Sequence, residues 1–400
     1  MDFDKLEYGG VYGETTAIRH ILSLHGATAA HNGKPLSEAM LFGISGGIGF
    51  AYFNFEYDGS EPTLYIDMGQ RYNNRFGQVM DGLYRRLGLE TTVRLTKSAQ
   101  QAEANLANDL AQGVPVILHI DRGSLPHYVE DTEYGDHAIV VLCYDDKSRE
   151  YLVADQACLP LSISPPDLSS ARESIDSLSF RSLTLSRPEN PIDLTDGITR
   201  SLRQCWDRML NPPHPRTNFG LSGLEKWASL INNSKARKGW LKVFTPGLNL
   251  YMGLHWTYKC IQTLETGGGA MRGLYADFLE EAEEAMSKPR LKEVAKAYRD
   301  LDRLWTELAQ ATLPDEVPLL HRTRQMIDRA EQLFLDKGID AIPEINDIRN
   351  EQVSMREEAS SDFPLDKAQS QALLDDLHER LLVIVEREQE AVQELKTCLN

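Results

Sequence analysis

The sequence predicts an α+β domain followed by an all-α domain, and three observations carry that expectation. Helical periodicity comes first in the chain, apolar strands follow between residues 114 and 155, and beyond Leu221 the pattern is helical. A length of 400 residues suits two or three domains, each long enough to bury its own core.

Glu14 to His25 is the first clear helix, with Ala17, Ile18, Ile21, Leu22 and His25 on one face. Glu38 to Phe42 forms a short helix that Gly43, Gly46, Gly47 and Gly49 break. The aromatic alternation of Phe50, Tyr52, Phe53, Phe55 and Tyr57 then reads as a turn feeding a strand. Leu64 to Met68 is a short strand and Arg71 to Leu87 a helix. Ala99 to Gln112 is a helix stopped by Gly113, a residue type suited to the position past a helix end. Val114 to Ile120 is a half-buried strand that tolerates Pro115 near its start, and Ala138 to Tyr144 pairs with Glu150 to Asp155 around the turn 145–149. Residues 164–200 mix Ser, Pro and Asp, with a helix expected from Asp167 to Ser174, and a further helix precedes the Pro-rich stretch Asn211 to Arg216. The boundary is therefore placed between 180 and 215, giving domains 1–195 and 196–400. The second domain carries helices over Gly223 to Asn232, Gly253 to Leu264, Arg272 to Ser287, Leu291 to Ala311, Pro318 to Gly338 and Leu365 to Leu399, with no strand signal.

Sixty acidic against 42 basic residues give a formal net charge of -18, and both halves of the chain are acidic, so no basic face is hidden in the total. Such a surface repels a duplex backbone or an anionic membrane, and neither is expected as a partner. The five cysteines are odd in number and lack a CxxC pair, which fits neither a disulfide scaffold nor a thiolate zinc site. With no signal-like N-terminus and no apolar run of about 18 residues, the expectation is a cytoplasmic protein without a membrane span. The string Gly43-Ile44-Ser45-Gly46-Gly47-Ile48-Gly49 precedes a strand instead of opening a helix, and no Lys-Ser/Thr follows, so it reads as a tight backbone turn. No cofactor is implied, and the oligomeric state is open.

Three places can carry chemistry. At the start of the first helix, Tyr12, Gly13, Glu14 and Thr15 meet the free amides and positive end of the helix dipole. Asp136-His137-Ala138 places a histidine at the start of an apolar strand, and Asp155 ends the next strand, where it can orient that imidazole across the hairpin. A histidine in that setting is more often structural, and an aspartate ending a strand is usually a turn former. Their pairing beside a helix N-terminus is what favours function. His119, Asp121, His127 and His137 do not have a spacing that specifies a metal site. Arg71 and Arg75, one turn apart, can clamp an acidic group or pair with acidic neighbours.

The strings Gly9-Gly10-x-x-x-Glu14-Thr15-Thr16-Ala17-Ile18-Arg19, Leu36 to Phe50, Asp136-His137-Ala138-Ile139-Val140-Val141, Gly267 to Arg272 and Leu274 to Leu279 together resemble the butirosin biosynthesis protein H family. That resemblance covers roughly residues 8–285. It implies a papain-like N-terminal domain, a C-terminal domain of unknown function and, for the active branch, acyl transfer from a carrier-protein thioester to an amine. Acyl carrier protein, or a small acyl or amine ligand, is the partner it implies.

Active members carry His-Cys just before the Glu-Thr-Thr-Ala-like string, whereas this chain has Tyr12-Gly13. Gly13 marks the position of the missing cysteine, and the simultaneous tyrosine favours a natural branch over an engineered change. Glycine cannot form an acyl-enzyme. Cys143 is expected to be a packed core thiol, and Cys158 lacks a helix N-terminus to activate it. Two function classes follow: a degenerate binder of the acyl group or its product, or an acyltransferase or amidase. In the second, His137 acts as general base with Asp155, and the amides of Glu14 and Thr15 receive the oxyanion.

Overall fold

The computed structural model describes residues 3–56, 61–69, 78–125, 127–128, 136–173, 180–212 and 217–399. In chain order its elements are α1 (Gly13–Leu24), α2 (Glu38–Ser45), β1 (Ala51–Phe55), β2 (Thr63–Asp67), α3 (Gln78–Leu87), β3 (Thr91–Arg94), α4 (Ala99–Ala111) and β4 (Val116–Asp121). Then come β5 (Asp136–Asp145), β6 (Glu150–Ala154), β7 (Leu161–Ile163), α5 (Pro165–Glu173) and β8 (Ser182–Leu185). The remainder is helical: α6 (Thr195–Leu210), α7 (Gly220–Ile231), α8 (Trp240–Val243), α9 (Leu248–Gln262), α10 (Arg272–Met286), α11 (Arg290–Thr312), α12 (Pro318–Lys337), α13 (Ile342–Ser361) and α14 (Lys367–Cys398). The fold is α+β, with the sheet-rich part ahead of an all-helical part.

The chain forms two compact units, and neither is a continuous stretch. One comprises residues 1–41, 80–194 and 329–349; the other comprises 42–79, 195–328 and 350–400. One division between the units falls at Leu194/Thr195. The exchanges of 42–79 and 329–349 have no counterpart in a split into 1–195 and 196–400.

In the first unit six antiparallel strands are ordered β3-β8-β4-β5-β6-β7. The register sets Val116 opposite Val141, Leu118 opposite Ile139 and Ile120 opposite His137, so these side chains share a face. That face is buried with Leu106 of α4, Leu168 and Ala171 of α5, and Phe334, Ala341 and Ile345 from the C-terminal insertion. Sequence reading missed β3, β7 and β8, of three or four residues each, too short to display alternation. The expected helix from Arg71 is described from Gln78 onward.

The second unit is not purely helical, because it takes in the β1–β2 hairpin, paired from Ala51 opposite Asp67 to Phe55 opposite Thr63. The hairpin's aromatic residues sit among helices: Trp227 of α7 stacks on Phe50 and Tyr52, at 6.1 and 5.9 Å between ring centres, and on Trp305 of α11 at 6.2 Å. The glycine string serves this packing. A Cβ on Gly43 would lie 2.0 Å from the Phe278 ring, and one on Gly47 would lie 2.4 Å from the Tyr275 ring. Arg272, wholly buried, donates to Glu388 at 2.7 Å and to the carbonyls of Ala270, Gly49 and Met68, and Trp305 also donates to Glu388 at 2.9 Å. Two of the sequence strings thus meet in one core, which an apolar pattern alone does not disclose. Helices α8 and α13 were also missed.

Candidate functional site

The antiparallel pairing of β5 with β6 brings the start of one strand beside the end of the other. His137 and Asp155, 18 residues apart, therefore meet: the imidazole Nε2 lies 2.6 Å from Asp155 Oδ1, and both side chains are fully buried. The Tyr128 hydroxyl donates to Asp155 Oδ2 at 2.5 Å, and the Gln156 backbone N–H donates to Oδ1 at 2.7 Å. Burial alone would raise the Asp155 carboxyl. The electrostatic attraction of the His137 ring, its hydrogen bond and that of Tyr128 outweigh burial and hold the group well below the usual carboxylate range. An ionised carboxylate only accepts, so His137 presents Nε2–H to it, and Nδ1 is the nitrogen that can take a proton.

The second cluster is built around the start of α1. Its N-cap, Tyr12, supplies no side-chain cap, and Glu38 of α2 does so from a distance. The Glu38 carboxylate accepts the Val11 N–H at 3.0 Å and the Tyr12 N–H at 2.7 Å, with the Thr15 and Thr16 hydroxyls at 3.1 and 2.9 Å. Gly10 permits this approach, since a Cβ there would lie 2.1 Å from Thr16 Oγ1. The side-chain amide of Gln156, the residue after Asp155, donates to the Val11 carbonyl and ties the strand end to the loop leading into α1.

The structure thus joins His137 with Asp155 and groups Tyr12, Gly13, Glu14 and Thr15 at one buried helix start. Thr15, whose backbone amide was expected to serve the site, turns its hydroxyl to Glu38 and to the Tyr12 carbonyl. Arg71 and Arg75 lie outside the described residues. Cys143, expected in the core, is only partly buried where β5 bulges between Val141 and Cys143, and Cys158 is exposed. No cysteine belongs to α1.

His119 faces away from His137, because it pairs with Ala138 while His137 pairs with Ile120. Asp121 spends its carboxylate on Gly123 N–H and the Ser124 hydroxyl, at 3.2 and 2.7 Å. Among the described residues no group of three or more His, Cys, Asp or Glu side chains is arranged to hold a metal ion. Burial lowers His119 to about 3 and His127 to about 4, with Arg181 also lowering the former and Asp155 partly opposing the shift in the latter. Tyr128, Glu38 and Gln156 escaped sequence reading. Glu38 was in view inside the string from Leu36 to Phe50, whereas Tyr128 carried no signal beyond its neighbour His127.

An α+β chain with a buried His–Asp pair tied to a helix N-terminus is the class that fold and site define. Residues 14–156 match the family model described as butirosin biosynthesis protein H, N-terminal, and residues 166–333 match a domain of unknown function (DUF4872). The first match begins beside Gly13 and closes on Gln156. Together the two matches have the architecture of the butirosin biosynthesis protein H family, which implies a biosynthesis-related protein. No curated protein matches it. Among the described residues no helix is long and apolar enough to cross a membrane.

Proposed function

We propose that this protein of natural-product biosynthesis binds a carrier-protein-linked acyl group, or the product of its transfer, in a papain-like N-terminal domain without forming a bond to it. The observation carrying this reading is the start of α1. By the family resemblance Gly13 stands where the active branch keeps cysteine, and the adjoining Val11 and Tyr12 amides are engaged by Glu38. Glycine offers no nucleophile, so recognition of the acyl group is what this helix end can still supply.

The His137–Asp155 hydrogen bond favours a second reading, direct transfer. An amine nitrogen attacks the thioester carbonyl, the C–N bond forms as the C–S bond breaks, and His137 Nδ1 takes the amine proton and returns it to the departing sulfur. The Glu14 and Thr15 amides receive the transient oxyanion.

Intact masses, recorded after mixing the protein with acyl-loaded carrier protein and a panel of amines, decide between them. We expect a complex in which the carrier stays loaded and the protein gains no mass. Acyl transfer to an amine that His137→Ala abolishes would replace the first reading with the second. An adduct on Cys143 or Cys158 would defeat both.

A further inference from the structure

We propose that Tyr128 is a positioning residue: its hydroxyl locks the Asp155 carboxylate and thereby holds His137 in the tautomer whose Nδ1 is basic. Asp155 has two oxygens and a torsion that would otherwise exchange them. Oδ1 is held by His137 and the Gln156 N–H, at 2.6 and 2.7 Å, and Oδ2 by the Tyr128 hydroxyl at 2.5 Å. With both oxygens fixed, the carboxylate cannot turn, and Nε2–H keeps one acceptor. The phenol oxygen also lies 3.2 Å from Nε2, so it sits within reach of the same proton.

Tyr128 can perform this task because it is itself immobilised. Its ring meets His137 edge-on at 5.6 Å, His127 at 4.6 Å and Phe334 at 4.7 Å between centres, and the Arg122 guanidinium lies over it at 4.2 Å. Its carbonyl accepts from Arg349. Every group named belongs to the unit that holds the six-stranded sheet. In so buried a site a hydrogen bond orients strongly, and an unmatched carboxylate oxygen would be costly.

The catalytic use of this tautomer rests on the direct-transfer reading, but the positioning itself is read from the ligand-free full chain. Nitrogen NMR of His137 and carbon NMR of Asp155 should find Nε2 protonated and the carboxyl titrating below the usual range. Tyr128→Phe should mix the two tautomers and move the Asp155 titration upward. Phe334→Leu, which loosens the ring packing and keeps the hydroxyl, should produce the same changes to a smaller extent. An unchanged tautomer and titration in Tyr128→Phe overturn the proposal, as does an equal change in Phe334→Leu. Should Tyr128→Phe not fold, a wild-type Asp155 that titrates in the ordinary range overturns it. None of these signals depends on acyl transfer, so failure of the functional reading leaves them unmoved.

Discussion

At Glu38 one carboxylate gathers two backbone amides and two threonine hydroxyls, and the consequence for position 13 is electrostatic. A helix dipole lowers the pKa of a thiol at its N-terminus, while a carboxylate beside the same turn opposes ionisation. Gly13→Cys should therefore label with iodoacetamide faster when Glu38→Gln is added, by roughly three- to tenfold for the loss of one nearby, partly screened charge. Equal rates in the two backgrounds, with both proteins folded, would show that Glu38 does not govern this helix end. Such coupling is hard to read in a sequence. His137 and Asp155 were legible because a strand start and a strand end flank one short turn. Glu38 reaches its partners, and Tyr128 reaches Asp155, across more than twenty intervening residues, where no periodicity connects them.

Among the elements, long helices were the most legible. α1, α4, α10, α11, α12 and α14 lie within a few residues of their expected limits, because apolar spacing and end residues agree in each. For α14 the agreement includes a capping box between Asp366 and Gln369. The glycine string was legible as a break only from Gly46 onward, since α2 runs through Gly43 to Ser45, and it was illegible as packing, because its reason is the aromatic face of α10 more than 220 residues later. Gly43 lies inside α2 with a helical backbone, and the atoms nearest to a Cβ there all belong to the Phe278 ring. Gly43→Ala should cost about 1–3 kcal/mol through overpacking, read as a lower denaturation midpoint. Adding Phe278→Leu should recover part of that loss. A double variant no more stable than Gly43→Ala alone would mean that the ring is not what the glycine accommodates.

For the whole molecule, the discontinuous units make the two halves of the sequence poor guides to what folds independently. A fragment of residues 1–195 keeps the six-stranded sheet and loses residues 329–349, which supply Phe334, Ala341 and Ile345 to its core. It also loses the Leu335 carbonyl that accepts the Cys158 N–H at 2.8 Å, and Gly338, whose missing side chain makes room for Leu161. Burying a Phe or Ile side chain is worth about 1.5–3 kcal/mol. Losing the Phe and Ile alone removes much of the roughly 5–15 kcal/mol by which a domain is usually stable. The same fragment retains residues 42–79 without Trp227, Tyr275, Phe278 or Trp305, and so exposes the aromatic hairpin. We expect the fragment to aggregate or to melt without a cooperative transition, while the full chain unfolds cooperatively in the same buffer. Calorimetry of both is the measurement. A fragment with a sharp transition at the temperature of the full chain would mean that the 329–349 insertion is dispensable to the sheet, and that a simple division near residue 195 describes the folding units better.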